Sequence, residues 1–398
     1  MSAVSPPDAE AATMRDDLTR AVAQIAAGSA CGAMSSAVCA DGMSHHEQAT
    51  DDSDMEARTS VGREDPEGIT YQRLGVDLEL KQTDEDLSFQ TSRIHRIENL
   101  ELCPRLKNLE LNANDIEKIE NLEVVPELEQ LELYQNRIRK IENLETLVHL
   151  RVLDLSFNKI RKIEGLERLG QLVKLYLSSN RIENVEGLES LLKLELLELG
   201  SNRIRNVVGI GQLTNLKELW LGKNKLTSMR LPFLPKLQRL SLQSNRLTTW
   251  DVRLFDDCPA LEELYLSHNQ LPGEIPGEIR HLRKLKIFDI GVNAIGNIEA
   301  AAQLPELQEL WMNNNKIETL EGVKCLRGVG SLHTLYLEGN PVQANLGPSY
   351  RQNLVKILPQ LRQLDALLLS EKVNVIEQPL SGKVGSTRKP KSIMKHDD

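Results

Sequence analysis

Aromatic residues are scarce in this chain: 3 Trp, 6 Tyr and 5 Phe are only 4% of its 398 residues. Any large core must therefore be aliphatic, and any gathering of aromatics calls for an explanation. Cysteine is also rare. Cys31, Cys39, Cys103, Cys258 and Cys325 form no CxxC pair, and their number is odd. That pattern excludes a disulfide framework and favours a reducing setting. The many asparagines form no N-x-S/T glycosylation acceptor. No apolar run approaches the roughly 20 residues that span a bilayer. Residues 21–40 are uncharged but contain no leucine, and Asp8, Glu10, Asp16 and Asp17 precede them. A signal peptide needs a positive start and a greasy centre. The expected setting is the cytoplasm and nucleus.

Catalytic signatures are missing as well. There is no Gly-rich phosphate loop, no HExxH, no GxSxG and no Cys/His cluster at metal-ligand spacing. The eight histidines are scattered. These absences argue for a protein without enzymatic activity, cofactor or metal. Positive charge is absent where a nucleic-acid arm would want it. Residues 1–80 hold 15 Asp/Glu, 5 Arg and no Lys, which accounts for the whole net charge of −10. Phosphates would be repelled there, so neither nucleic acid nor an anionic membrane is an expected partner.

What the chain has in abundance is a period. Asn114, Asn136, Asn158, Asn180, Asn202 and Asn224 recur every 22 residues, each closing the phrase LxxLxLxxN. Asn245, Asn269, Asn293, Asn315 and Asn340 continue the series at gaps of 21, 24, 24, 22 and 25. A period in this range marks a leucine-rich repeat solenoid. The expected class is α/β. Short parallel strands line the concave side, and tight 3-10 or helical turns from phrases such as IxxIENLExLxxL form the convex side. Within one unit Leu131 and Leu133 point inward and Glu132 outward. Asn136 follows at the turn, where its amide is expected to satisfy backbone groups of its own and a neighbouring coil.

The domain plan follows from composition. Residues 1–85, rich in Ala, Ser, Asp and Glu, form an acidic and mostly disordered region with a short helix near Met14–Ile25. Residues 86–340 hold eleven clear repeats and a degenerate first one at Leu87–Ser92. Residues 341–369 form a C-terminal cap, with a helix over Pro348–Leu358 stopped by Pro359. Leu354, Ile357, Leu358, Leu361 and Leu364 then cover the last open core. Residues 370–398 form a polar basic tail. At 266–282, LSHNQLPGEIPGEIRHL carries two prolines and is expected to lengthen the convex segment.

The residue between the two inward apolar positions of each strand defines one outward column. It reads Glu110, Glu132, Asp154, Tyr176, Glu198, Trp220, Ser241, Tyr265, Asp289, Trp311 and Tyr336. Tyr134 and Phe157 lie beside it, so half of the chain's aromatics face outward. Exposed aromatic surface is unfavourable by roughly 25 cal/mol per Å² that could be buried. Tyr, Trp and carboxylates in one stripe therefore suggest a partner site. Asp154, Glu198 and Asp289, with Glu218, Glu263 and Glu309 alongside, suit exposed Lys or Arg on that partner.

The ordered phrases LELGSNRIR, LTNLKELWLGKNKL, LSLQSNRLT, LEELYLSHN, LQELWMNNN and YRQNLVKILPQLRQLDA resemble the protein phosphatase 1 regulatory subunit 7 family over about residues 86–366. That resemblance implies a non-catalytic subunit holding the catalytic subunit of type-1 serine/threonine phosphatase in its concave face, with room for a further phosphatase inhibitor protein. The positions matching the family's contact stripe are Asp154, Tyr176, Glu198, Trp220, Asp289, Glu309, Trp311 and Tyr336. Tyr176 and Trp220 stand where animal relatives are expected to have phenylalanine. The PGEIPGEI phrase, the acidic N-terminus and the basic tail are not shared. A ciliary or cytoskeletal repeat scaffold is the alternative reading.

Overall fold

The computed structural model describes residues 70–369. The expected helix at Met14–Ile25, the uncharged 21–40 stretch and the basic tail lie outside them. Within the described residues the repeats stack into a sheet of fourteen strands laid side by side in chain order, apart from a separate two-stranded sheet. Each repeat contributes three residues, such as Asn108–Glu110, Gln130–Glu132 and Val152–Asp154. The register carries Leu109 onto Leu131 onto Leu153. Neighbours are parallel until the final pair, Gln363–Leu364 with Leu367–Leu368, which is antiparallel. The degenerate first repeat is present as the strand Asp86–Ser88.

The core is a column of Leu, Ile and Val, nearly all without solvent exposure. Its only fully buried aromatic rings are Phe255 and Phe288. Such a core leaves many backbone groups at the turns to satisfy, and the asparagines do this. Asn180 Oδ1 accepts from the Ile160 amide at 3.0 Å. Its Nδ2 donates to the carbonyls of Leu155, Leu177 and Ser178 at 2.9–3.2 Å. One side chain thus ties its own coil to the preceding one. The same pattern runs from Asn136 to Asn340. In the next coil Asp365 takes over, accepting from the amides of Leu337 and Glu338.

A second column, on the convex side, has the same geometric logic. Asn99, Asn121 and Asn143 of the IENLE phrases have φ near +60°, and Gly165 and Gly187 follow at +70°. Asn tolerates the left-handed region, and its amide also bonds the preceding coil, as Asn121 does to the Ile97 carbonyl at 2.6 Å. At Gly187 the coils come closer. A Cβ there would stand 2.6 Å from the Ile163 carbonyl oxygen. Gly187→Val combines that clash with an unfavourable backbone for a β-branched residue. It is expected to cost roughly 2 kcal/mol or more, read as a lower urea midpoint.

Three expectations change. The chain is ordered upstream of residue 86: Leu74 is fully buried, Gln72 bridges to Ile94, and Arg73 pairs with Glu98 at 2.8 Å. Residues 70–85 therefore belong to the solenoid and not to the acidic region. The convex side of the 22-residue repeats consists of successive i+3→i turns, such as Leu147 to Leu144 and Leu150 to Leu147. Named helical segments occur at Leu100–Leu102 and then only from Arg253 onward, where longer repeats provide room. Finally, the PGEIPGEI phrase does more than lengthen the convex side. Pro272–Glu274 forms a second, two-stranded parallel sheet with Ala294–Asn297, and Gly277–His281 follows as a 3-10 turn. At the far end an α-helix spans Tyr350–Ile357, with Leu354, Leu358, Leu361 and Leu364 buried and Ile357 packed against them.

Candidate partner-binding face

The outward column lies in one register across the sheet: Asp154 opposite Tyr176, Tyr176 opposite Glu198, Glu198 opposite Trp220. It continues through Ser241, Tyr265, Asp289, Trp311 and Tyr336. All eight expected residues are therefore on the concave face, with Glu309 one column over. They are not equivalent.

Four rings touch in series. Trp220 and Tyr265 stack at 6.1 Å between centroids, Tyr265 and Trp311 meet at 6.3 Å, and Trp311 and Tyr336 at 5.9 Å. The first two contacts each span two strand steps, about 9.6 Å on a flat sheet. The rings close that gap by converging over the short residue between them, helped by the concave curvature. Ser241 is consequently 2% exposed and Asp289 6%. Tyr265 is the member that the family comparison of sequence phrases left out. Its signal was present, since it occupies the same column in the phrase ELY.

The ladder is held by carboxylates two residues upstream on the same strands. Glu218 accepts from the Trp220 indole at 3.3 Å, Glu263 from the Tyr265 hydroxyl at 2.8 Å and Glu309 from the Trp311 indole at 3.1 Å. The repeated ELW, ELY, ELW phrase is thus a structural unit: an aromatic whose polar group is fixed by its own strand. Arg239 bridges Glu218 at 2.7 Å and Glu263 at 3.3 Å, which offsets their charge. Among the described residues Glu309 has no cation within ion-pair distance, so its carboxylate stays available. Tyr336 is steered by Gln363, whose amide donates to its hydroxyl at 2.7 Å.

Asp289 differs from the exposed contact its column position suggests. It is buried, accepts from the Gly291 amide at 3.0 Å, and burial pushes its carboxyl up to about 6. It serves the face from beneath the rings. Glu198 is half-buried, and burial together with the nearby Asp154 charge pushes it up to about 7. Asp154 accepts from the Ser156 amide at 2.8 Å.

Those shifts set a pH dependence. Glu198 ordinarily titrates at 4.5. With the folded value raised, the native state binds the extra proton between 4.5 and about 7. Folding is therefore favoured as pH falls through that window and disfavoured as it rises. A partner ammonium or guanidinium reverses the shift by stabilising the carboxylate. Binding of a basic partner should then release protons near neutrality and strengthen as pH rises through about 7. Titration calorimetry in buffers of different ionisation enthalpy measures this, and Glu198→Gln should remove most of it.

Among the described residues no group of His, Cys, Asp or Glu is arranged to hold a metal, and no helix is long and apolar enough to cross a membrane. The face is a solid sheet bearing rings and carboxylates, suited to recognition.

Comparison with known proteins agrees on the fold. Leucine-rich repeat models match residues 126–168, 235–295 and 280–325. The chain is similar to the Schizosaccharomyces pombe protein phosphatase 1 regulatory subunit SDS22, 42% identical over 69 residues, which is 17% of this chain and 21% of that protein. It is also similar to human cilia- and flagella-associated protein 410, 26% identical over 146 residues, 37% of this chain and 47% of that one. The matches thus span less than half of either relative. A Listeria monocytogenes internalin superposes with TM-score 0.59 at 24% identity, covering 72% of this chain and 88% of its own, a likeness of fold alone.

Proposed function

We propose that this leucine-rich repeat protein is a non-catalytic regulatory subunit that binds the catalytic subunit of type-1 serine/threonine phosphatase through its concave face. The observation that carries the reading is the ladder Trp220–Tyr265–Trp311–Tyr336, with Glu309 at one side and Asp154, Tyr176 and Glu198 continuing it. Rings locked by their own strands lose little side-chain freedom on binding, so burying them is efficient. The carboxylates add selectivity for a basic surface. The match to a phosphatase regulatory subunit supports the choice of partner. Binding directs or restrains the phosphatase and involves no chemistry or cofactor of the chain's own. Cytoplasm and nucleus are the compartments proposed for it.

A second reading has one specific support. The match to the cilia- and flagella-associated protein covers more of this chain than the phosphatase-subunit match does. On that reading the same face holds an axonemal or cytoskeletal component. Purified chain sedimented with axonemes, and separately mixed with type-1 catalytic subunit, separates the two. Co-elution with the phosphatase and no pelleting is the expected outcome. Pelleting without phosphatase binding would transfer the function to the scaffold reading.

A further inference from the structure

Phe157 occupies a position that the fold fills elsewhere mostly with small or polar residues, His268 and Val292 being the other bulky members. The residue before each ladder asparagine has a left-handed backbone, and in neighbouring repeats it is Ala113, Gln135, Ser179 or Ser201. Phe157 has the same conformation, φ 56°, with 49% of its surface exposed. A bulky aromatic is disfavoured there. Half-exposed, its ring also gains little from its own chain to offset that preference. It is outside the aliphatic core and touches Tyr134, with centroids 5.0 Å apart and planes tilted by 60°. An aromatic pair in which the half-exposed Phe157 ring stands on a disfavoured backbone is an outlier from which function can be inferred.

The pair is separate from the aromatic ladder. Tyr134 follows the strand Gln130–Glu132, four strand steps or about 19 Å from that of Trp220. Its surroundings are acidic: Glu110, Glu132 and Asp154 occupy one register line beside it. Of the nearby cations, Arg137 is paired with Asp115 at 2.6 Å, and Lys159 lies two residues beyond Phe157.

We infer that Tyr134 and Phe157 form a second docking site, which takes a peptide segment carrying an aliphatic or aromatic side chain next to Lys or Arg. The rings receive the apolar group, and the Glu110 and Asp154 carboxylates, on either side of the buried Glu132, receive the cation. This goes beyond the phosphatase reading and shares only Asp154 with it.

A random peptide phage library is first depleted on the Phe157→Asn protein and then selected on the full-length wild-type chain. Enriched peptides are resynthesised with fluorescein and titrated by polarisation. Asn suits the left-handed backbone, so Phe157→Asn should unfold at the same urea concentration as wild type or a higher one. The expected result is a set of peptides pairing an apolar residue with Lys or Arg. These lose roughly tenfold or more in affinity with Phe157→Asn and with Tyr134→Ser, and bind Trp311→Ala like wild type. Absence of enrichment, or enrichment of acidic peptides, would overturn the inference. Displacement of the peptides at equal affinity by a synthetic peptide of residues 383–396 would assign the site to the chain's own tail and overturn the partner assignment. Self-association of the wild type that disappears in Phe157→Asn would assign it to a second copy, with the same consequence.

Discussion

Trp220→Ala combined with Trp311→Ala is expected to weaken binding of the type-1 catalytic subunit several hundredfold, with the fold intact. The two rings flank Tyr265 in the four-ring series, and Trp311 also touches Tyr336. Aromatic anchors at the middle of an interface commonly contribute about 2 kcal/mol or more each. Two such losses correspond to roughly 4 kcal/mol, or nearly three decades in Kd. Removing both also releases Tyr265 from its packing and uncovers Ser241 and Asp289, so the two effects do not add simply. Neither indole is part of the aliphatic core, so circular dichroism and the urea midpoint should stay near wild type. Calorimetry on both proteins supplies the comparison. Glu309→Gln alone should have a smaller effect, because it keeps an acceptor for the Trp311 indole while losing the charge. A shallower salt dependence with the salt-independent part of the binding energy unchanged would distinguish that loss from a packing defect.

The second large effect concerns folding. Asn180→Ala removes one acceptor and one donor group from a buried turn, leaving the Ile160 amide without its partner, while the Leu155 carbonyl keeps only the Asn158 amide. One such orphan costs about 1–3 kcal/mol, and the loss of the second bond to Leu155 places the expected effect toward the upper end of that range. In a solenoid each coil contacts only its neighbours, so the damage should concentrate at one coil junction. Urea unfolding of the variant should therefore broaden or split as well as shift. Asn184, four residues on and exposed, is the control. Its replacement by alanine should stay within about 0.5 kcal/mol.

Much of this was legible in the residues because it repeats. Leu109, Leu131 and Leu153 recur at fixed spacing, and so do the asparagines that close each turn. Repetition fixes the inward and outward sides of every strand, and hence the column that contains Asp154, Trp220 and Trp311. What repetition does not convey is depth. Asp289 and Glu309 are both outward carboxylates on paper. One lies beneath two converging rings and the other stays at the surface, because ring orientation depends on neighbours two strands away. Glu218 and Glu263 likewise gave no sign in the sequence that Arg239 would bridge them. Single residues are also hard to read. Leu74 is the one fully buried anchor of the described stretch upstream of residue 86, and a single buried leucine in a polar segment has no period to betray it. The second sheet at Pro272–Glu274 escaped notice because prolines normally argue against a strand, and it survives here as a short edge pairing. The left-handed column of Asn99, Asn121, Asn143, Gly165 and Gly187 was visible as IENLE and its variants, but its meaning needed the backbone.

The most direct test of the account is a titration of purified, folded full-length chain into purified type-1 phosphatase catalytic subunit at neutral pH. The account predicts a one-to-one complex whose formation releases protons and which Trp220→Ala with Trp311→Ala weakens several hundredfold. A wild-type chain that is folded, monodisperse and silent in that titration would contradict it.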